Sequence, residues 1–296
     1  MEKQIVFLND QFLEKENASL SIFDHGFLYG DGVFEGVRVY DSNIFKLKEH
    51  IKRLYESAHS IMLDIPYTKE TLIGLVVETV QKNNLSSAYI RIVASRGPGD
   101  LGLDPRNCHD ATVLIIAEPL AIYPEALYEN GLRLASVVNR RSSADVLNPQ
   151  IKTLNYLNNI MVKMASVQSN SDEALILNRE GYVTEGSSDN VFIVKDGVLK
   201  TPPIYLGVLE GITRNAIIEI AKEEGYQVEE TAFTLHDVYV ADEVFLTGTA
   251  AEVIPAISAD NRLIGDGSPG VITKHLLKKF RERTVVDGVS CHDKVK

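Results

Sequence analysis

The sequence has little of several features that would mark particular classes of protein. It contains 2 cysteines in 296 residues, which excludes the disulfide framework typical of small secreted domains. No stretch approaches the ~20 apolar residues that span a bilayer, and the N-terminus lacks the basic region and apolar run of a signal peptide. We therefore expect a protein with reduced thiols that stays in the cytoplasm and has no membrane partner.

Positive charge is also scarce. The chain has 30 Lys and Arg against 41 Asp and Glu, so the formal net charge is −11, and the charged residues are interspersed rather than blocked. Nucleic-acid binding needs clustered Lys and Arg against the phosphates. We expect no nucleic-acid partner, and small molecules are the more natural ligands.

Familiar nucleotide and metal motifs are missing as well. The segment Gly30-Asp31-Gly32 lacks the full spacing of a dinucleotide loop, and no segment matches a phosphate loop that ends in Gly-Lys-Ser/Thr. The pairs Cys108-His109 and Cys291-His292 lack a second nearby ligand at zinc-site spacing. We predict no metal site.

The chain is longer than one hydrophobic core usually fills, so two domains are expected. Strands predicted at 5–8, 33–40, 44–46, 88–94 and 111–117 mix with helices at 47–59 and from Thr68 to residue 80. Two prolines bracket a short connector at 119–124. We assign a small N-terminal domain to 1–121, a connector to 122–127 and a large C-terminal domain to 128–296.

Strands dominate the second half. They are predicted at 132–139, 174–178, 182–185, 191–195, 198–201, 244–247 and 253–257, with hairpin turns at 179–181 and 195–197 and helices at 154–168, 212–224 and 271–282. This mixture indicates an α+β protein.

One lysine is a candidate for covalent chemistry. Lys152 stands between apolar neighbours at the start of the predicted helix 154–168. Desolvation at such a position favours a neutral, nucleophilic amine. The alternative is that Lys152 extends its ammonium to water, as most lysines do.

Two turns could bind an anion, and one acid could pair with a cation. Gly211 and Thr213 stand at the first turn of the helix 212–224, where free amides and the helix dipole favour an anion. Segment 246–252 ends a strand in small hydroxyl residues and glycine. Glu185 ends another strand and could pair with a protonated ring nitrogen. Taken singly, these features also fit a capped helix, a tight turn and a solvated acid.

Together they match what pyridoxal 5'-phosphate needs, namely a Schiff-base lysine, an anion clamp and a partner for the pyridinium nitrogen. Over nearly its whole length the chain resembles the fold-type IV pyridoxal-phosphate enzymes. Segments 29–38 and 87–91 are most similar to the branched-chain amino-acid aminotransferases. The resemblance implies a D-amino-acid aminotransferase-like fold with a smaller N-terminal α/β domain and a larger C-terminal domain rich in antiparallel strands.

The resemblance also implies roles for individual residues toward the cofactor. Lys152 would form the Schiff base and shuttle the α-proton, and Glu185 would keep the pyridine nitrogen protonated. Tyr156 would meet the phenolic oxygen. The remaining implied cofactor ligands, most of them around the phosphate, are Arg53, Leu209, Ile212, Thr213 and Thr249.

For the substrate, the resemblance implies that Thr249, Ala250 and Tyr89 meet the α-carboxylate, and that Arg91 meets the distal carboxylate of glutamate. Tyr89 and Arg91 are two apart on a predicted strand and so share one face. The other implied substrate residues, most of them lining an apolar pocket, are Tyr29, Phe34, Gly36, Arg38 and Tyr156.

The function implied by the resemblance is transfer of the amino group of leucine, isoleucine or valine to 2-oxoglutarate. Its partners are therefore amino acids and 2-oxo acids. Family members place some first-domain residues across a subunit interface, which implies a homodimer or a higher assembly of dimers. The alternatives are a D-amino-acid transaminase, which shares the lysine segment, an aminodeoxychorismate lyase, and a binding protein that holds the cofactor or an anion without catalysis.

Overall fold

The structure is a computed structural model that describes residues 3–119 and 123–292. Its strands are β1 (Ile5–Leu8), β2 (Gln11–Glu14), β3 (Gly32–Tyr40), β4 (Asn43–Phe45), β5 (Ala88–Ser95), β6 (Thr112–Glu118), β7 (Leu132–Arg140), β8 (Glu173–Leu177), β9 (Val183–Glu185), β10 (Asn190–Lys195), β11 (Val198–Thr201), β12 (Val228–Glu230), β13 (Glu243–Gly248), β14 (Glu252–Ala259), β15 (Arg262–Leu263) and β16 (Gly288–Ser290). Its helices are α1 (His25–Tyr29), α2 (Leu47–Ser60), α3 (Lys69–Lys82), α4 (Glu125–Asn130), α5 (Ala144–Leu147), α6 (Leu157–Gln168), α7 (Ile212–Glu223), α8 (Leu235–Tyr239) and α9 (Val271–Thr284).

The described chain divides into two compact units. The first contains residues 3–119, 151–155 and 283–292, and the second contains residues 123–150 and 156–282. Segments 151–155 and 283–292 therefore lie in the first unit, although the sequence-based assignment gave them to the second domain. Backbone pairing is the reason, because β16 adds to β4 and Thr153 bridges to Val33.

The first unit is built on an antiparallel sheet in the order β16-β4-β3-β5-β6-β1-β2. Along β3 and β5 every second side chain is buried, and apart from Glu35 these side chains are apolar, for example Val37 and Ile90. Helices α2 and α3 contribute Leu54 and Leu72 to the same core. The predicted N-cap of α3 is confirmed, since Thr68 accepts a hydrogen bond from the Thr71 amide at 3.1 Å.

The second unit contains a mixed sheet in the order β12-β11-β10-β13-β14-β7-β8-β9, with β15 beside β14. Strand β9 also pairs with β10, so six of these strands close into a ring. Antiparallel pairs predominate, and parallel pairs occur between β7 and β8, β7 and β14, and β11 and β12. Helix α6 connects β7 to β8, because parallel neighbours need a long crossover.

The turn between β10 and β11 forms as predicted. Lys195 pairs with Val198, and the two residues between them, Asp196 and Gly197, have φ of 52° and 77°. Two left-handed residues define the turn that matches the twist of a hairpin, and Asp-Gly tolerates them best.

The predicted start of α6 at residue 154 is wrong, since the helix begins at Leu157. Residues 152 to 154 pair with β3: the Lys152 carbonyl accepts from the Phe34 amide at 3.0 Å, and the Leu154 amide donates to the Gly32 carbonyl at 2.9 Å. Those bonds hold this segment against β3, so the chain enters α6 only after the pairing ends. In the described chain, no helix is both long enough and apolar enough to cross a membrane.

Candidate active site

The predicted substrate residues of the first unit share one face of the β3 and β5 pair. Phe34, Gly36 and Arg38 alternate along β3, and across the ladder Gly36 faces Arg91 and Arg38 faces Tyr89. Side chains that are directly opposite in an antiparallel ladder lie on the same side of the sheet. The predicted common face of Tyr89 and Arg91 is therefore confirmed.

Two aromatic rings surround the Arg91 guanidinium on this face. Its Cζ lies 4.6 Å from the centre of the Phe34 ring and 5.5 Å from that of Tyr89. Its Nη2 donates to the Tyr89 hydroxyl at 3.2 Å. Gly36 makes this packing feasible, because a Cβ there would overlap the Tyr89 hydroxyl. The face thus combines an apolar aromatic surface with one cation.

Lys152 is held to β3 and α2 through its backbone. Its amide donates to Ser57 Oγ at 3.1 Å, and its carbonyl accepts from Phe34. The Lys152 Nζ lies 4.6 Å from the centre of the Phe34 ring. Lys152 is partly buried, and its amine therefore lies at the same Phe34 ring against which the Arg91 guanidinium packs.

On the opposite face of β3, Glu35 binds the predicted phosphate ligand Arg53. Arg53 Nε and Nη2 donate to the two Glu35 oxygens at 2.6 and 2.8 Å, and the buried His50 ring contacts the same carboxylate at 2.8 Å. Burial alone would raise the pKa of Glu35, but Arg53 and His50 lower it well below its usual range. Burial lowers the pKa of His50, so a neutral ring donates from Nδ1 to the anionic Glu35. Sequence reasoning missed both Glu35 and His50 as partners of Arg53.

Tyr29 and Arg38 are also placed by contacts within the first unit. The Tyr29 side chain is exposed, and its hydroxyl donates to the Leu101 carbonyl at 2.8 Å. The Arg38 guanidinium lies 4.5 Å from the centre of the Tyr40 ring. Tyr29 therefore contacts Leu101, whereas Arg38 lies on the shared face of β3 and β5 and packs on Tyr40.

In the second unit, Glu185 is a buried carboxylate with two well-defined partners. Arg141 Nη2 lies 2.8 Å from Oε1, and the Leu209 amide donates to Oε2 at 3.0 Å. The residue is 5% exposed. Leu209 thus acts through its backbone, which holds the carboxylate rather than offering a side chain.

The N-terminus of α7 has the features of an anion site. Gly211 is the N-cap and supplies no side-chain bond, and the amides of Ile212 and Thr213 make no hydrogen bond within the described part of the chain. Thr213 is 3% exposed. A Cβ on Gly211 would overlap Asn190 Oδ1, and Asn190 Nδ2 donates to the Leu209 carbonyl at 2.9 Å. Asn190 thereby positions this helix start beside the segment that holds Glu185.

The end of β13 supplies a second set of small polar groups. Thr247 pairs with Asn190 in the ladder, and among the residues the structure describes its buried Oγ1 has no hydrogen-bond partner. Gly248 lies against Asp189, whose Oδ1 would overlap a Cβ there. The turn with Thr249 and Ala250 follows directly. Through Asp189 and Asn190, strand β13 therefore ends close to the segment that carries Glu185.

Two buried acids, Glu173 and Asp189, lie beside the segment that carries Glu185, and the sequence did not predict them. The Glu173 carboxylate accepts from the Ser187 amide at 3.0 Å and binds Lys163 Nζ at 2.8 Å. Burial, together with the charge of Glu173, raises the pKa of the neighbouring Asp189 to about 8. Nothing in the local sequence separates these acids from solvated ones, since their burial arises from distant strands.

Tyr156 is the N-cap residue of α6 and follows shortly after the segment that pairs with β3. The Tyr156 carbonyl accepts from the Ile160 amide at 3.0 Å.

Across residues 3–119 and 123–292, no group of three or more His, Cys, Asp or Glu side chains is arranged to hold a metal ion.

Comparisons with known proteins agree on one family. Residues 32–259 match the model of the class IV aminotransferases. The chain is 52% identical to a Methanocaldococcus jannaschii protein provisionally named a branched-chain-amino-acid aminotransferase, over 97% of this chain and 99% of that protein. It is 37% identical to a D-alanine aminotransferase of Staphylococcus haemolyticus, over 94% of this chain and 96% of that protein.

Solved structures are similarly close. A branched-chain amino acid aminotransferase with pyridoxamine 5'-phosphate superposes with a TM-score of 0.92 at 39% identity, covering 96% of this chain and 95% of that chain. The Escherichia coli branched-chain amino acid aminotransferase has a TM-score of 0.93 at 33% identity and covers 100% of both chains. These matches confirm the two-domain α+β fold of the fold-type IV enzymes, and the chain belongs to the class IV aminotransferase family.

Proposed function

We propose that the chain is a pyridoxal-phosphate-dependent branched-chain L-amino-acid aminotransferase. It reversibly transfers the amino group of leucine, isoleucine or valine to 2-oxoglutarate. The observation that carries the substrate assignment is the shared face of β3 and β5, where aromatic rings surround the Arg91 guanidinium. Such a face accepts an aliphatic side chain and can also pair with the second carboxylate of glutamate.

The residues present fit this cofactor. The phosphate suits the first turn of α7, where the Ile212 and Thr213 amides lie beside a buried hydroxyl. The unsatisfied Thr247 Oγ1 offers a further polar group near Thr249. Glu185 supplies a buried carboxylate, the chemistry that a pyridinium nitrogen requires. Arg53, Leu209 and Tyr156 complete the proposed cofactor set.

When bound, the cofactor's pyridinium ring draws electrons from the amino-acid Cα and stabilises the carbanion that deprotonation leaves. Lys152 Nζ would hold the cofactor covalently, and as a free amine it would take the α-proton and return it. Glu185 would accept a hydrogen bond from the protonated ring nitrogen. The same lysine acts in both half-reactions, so leucine and 2-oxoglutarate bind in turn.

On the substrate, each proposed residue has a defined task. The Thr249 and Ala250 amides and the Tyr89 hydroxyl bind the α-carboxylate, and Phe34 contacts the branched side chain. Gly36 keeps the space that Tyr89 occupies. The further proposed substrate residues are Tyr29, Arg38 and Tyr156.

A direct assay tests this proposal. The purified protein should be yellow with pyridoxal phosphate and should form glutamate from 2-oxoglutarate and L-leucine. Lys152→Ala should abolish turnover, whereas Lys222→Ala, on the exposed side of α7, should not. A protein that stays colourless after reconstitution, or a Lys152→Ala variant with full turnover, would contradict it.

A D-amino-acid transaminase is the second candidate, because the chain is also 37% identical to a D-alanine aminotransferase. The same assay with D-alanine as donor decides between them. Turnover with D-alanine and none with L-leucine would assign the chain to the second activity.

We also propose that the protein is at least a homodimer and acts in the cytoplasm. Helix α6 supports the first statement, since it leaves Leu157, Ile160, Met164 and Val167 between 53% and 68% exposed at helical spacing. The unpaired thiols of its two cysteines support the second. Light scattering should give at least twice the chain mass, and Met164→Asp should lower that mass.

A further inference from the structure

Arg141 contacts three separate groups in the second unit and has no place in the mechanism above. Its Nη2 lies 2.8 Å from Glu185 Oε1. Its Nε donates to the Gly207 carbonyl at 3.3 Å, and its Nη1 to Asn159 Oδ1 at 3.4 Å. The Arg141 side chain is only 9% exposed. Because a guanidinium is planar and always charged, it can serve all three groups in one fixed orientation.

The partners of Arg141 belong to the segments on either side of Glu185. Gly207 lies two residues before Leu209, whose amide holds the other Glu185 oxygen. Asn159 Nδ2 donates to the Ser187 carbonyl at 2.7 Å in a buried contact. Arg141 therefore holds three parts of this region in place. They are the Glu185 carboxylate, the loop before Leu209 and, through Asn159, the chain after Glu185.

Charge gives Arg141 a second role. Glu185 is 5% exposed. A carboxylate removed from water favours its neutral form unless a cation is paired with it. Arg141 is that paired cation. A neutral Glu185 could not act as the acceptor that a protonated ring nitrogen needs.

We propose that Arg141 is a positioning residue for this reaction: it keeps Glu185 ionised and correctly oriented, and so determines how firmly a pyridine nitrogen is held protonated. This inference rests on the proposed function. It assigns Arg141 no contact with the substrate, so its effects should be transmitted through Glu185 and the segments that position it.

The experiment compares Arg141→Met and Arg141→Lys with the control Arg179→Gln. Arg179 is exposed, and together with Arg141 it lines a cavity of about 310 Å³. The first readout is the dissociation constant of pyridoxal phosphate from the apoprotein. We expect Arg141→Met to raise it about 10- to 100-fold, the size of the loss when an outer-sphere partner is removed at metal sites. Lysine should restore part of the affinity, because it keeps a charge but cannot span three partners.

Two further readouts separate this role from general destabilisation. The midpoint of a pH titration of the visible absorbance should move in Arg141→Met and stay in place in Arg179→Gln. In steady state, kcat for leucine should fall while KM changes little, because Arg141 does not touch the substrate. Circular dichroism tests whether each variant is folded. If Arg141→Met is not folded, all three readouts are measured on Arg141→Lys instead.

A double-mutant cycle tests whether Arg141 acts through Glu185. In a Glu185→Gln background, the substitution at Arg141 should weaken cofactor binding by less than about threefold. Equal losses in both backgrounds, or an Arg141 variant that binds like Arg179→Gln, would overturn the inference. Failure of the proposed function has a different signature, since the unmutated protein would then neither bind pyridoxal phosphate nor transfer an amino group.

Discussion

Replacing Asp189 by Asn should make the protein more stable at neutral and alkaline pH. Asp189 is 6% exposed and lies beside the anionic Glu173. Burial, and next the charge of Glu173, raise the pKa of Asp189 from 3.8 to about 8. The folded protein therefore keeps a proton on Asp189 that the unfolded chain has already released. Asn has the shape of the protonated acid and no proton to lose.

The sign and size follow from proton linkage. Between the unfolded pKa of 3.8 and the folded value of about 8, the native state binds more protons, so the free energy of unfolding falls as pH rises. One pKa unit corresponds to about 1.4 kcal/mol. From about pH 5 to about pH 8 the unmutated protein should lose up to ~4 kcal/mol relative to Asp189→Asn. The pKa of Glu173 is lowered from 4.5, so it is largely ionised in both states over this interval and contributes little to the difference.

Urea unfolding of the holoenzyme at several pH values measures this difference. Asp196→Asn, in the exposed turn between β10 and β11, is the matched control and should keep the pH dependence of the unmutated protein. Curves for Asp189→Asn and the unmutated protein that run parallel from pH 5 to pH 8 would refute the reasoning.

Three further substitutions have defined outcomes. Gly36→Ala should raise KM for leucine about tenfold, because the added methyl displaces the Tyr89 hydroxyl; an unchanged KM contradicts the packing described above. Glu173→Ala should lower the free energy of unfolding by ~2–4 kcal/mol, since the Ser187 amide loses a buried acceptor, and a loss below ~1 kcal/mol in urea titration would be too small for that contact. Thr213→Val should weaken pyridoxal-phosphate binding about tenfold by removing a buried hydroxyl, and fluorescence titration that shows equal affinity would exclude it as a ligand.

Features that depend on nearby residues were predictable. Alternation along β5 placed Tyr89 and Arg91 on one face, and Asp-Gly at 196–197 indicated the hairpin turn; both are confirmed. The start of α6 was not predictable, because the Lys152 segment has helical periodicity but pairs with β3. That pairing joins residues more than 100 positions apart in the chain, beyond the reach of any local pattern.

The sequence by itself indicated the family, Lys152 as the candidate lysine, the glycine-capped start of α7 and the aromatic strand face, since each depends on residues that are consecutive in the chain. Only the tertiary structure decided which groups surround them. Arg141 reaches Glu185 across 44 positions of sequence, and Glu35 rather than solvent binds Arg53. Burial gives these contacts their strength, because charges removed from water interact strongly with the few partners that remain, and burial is a property of the folded chain.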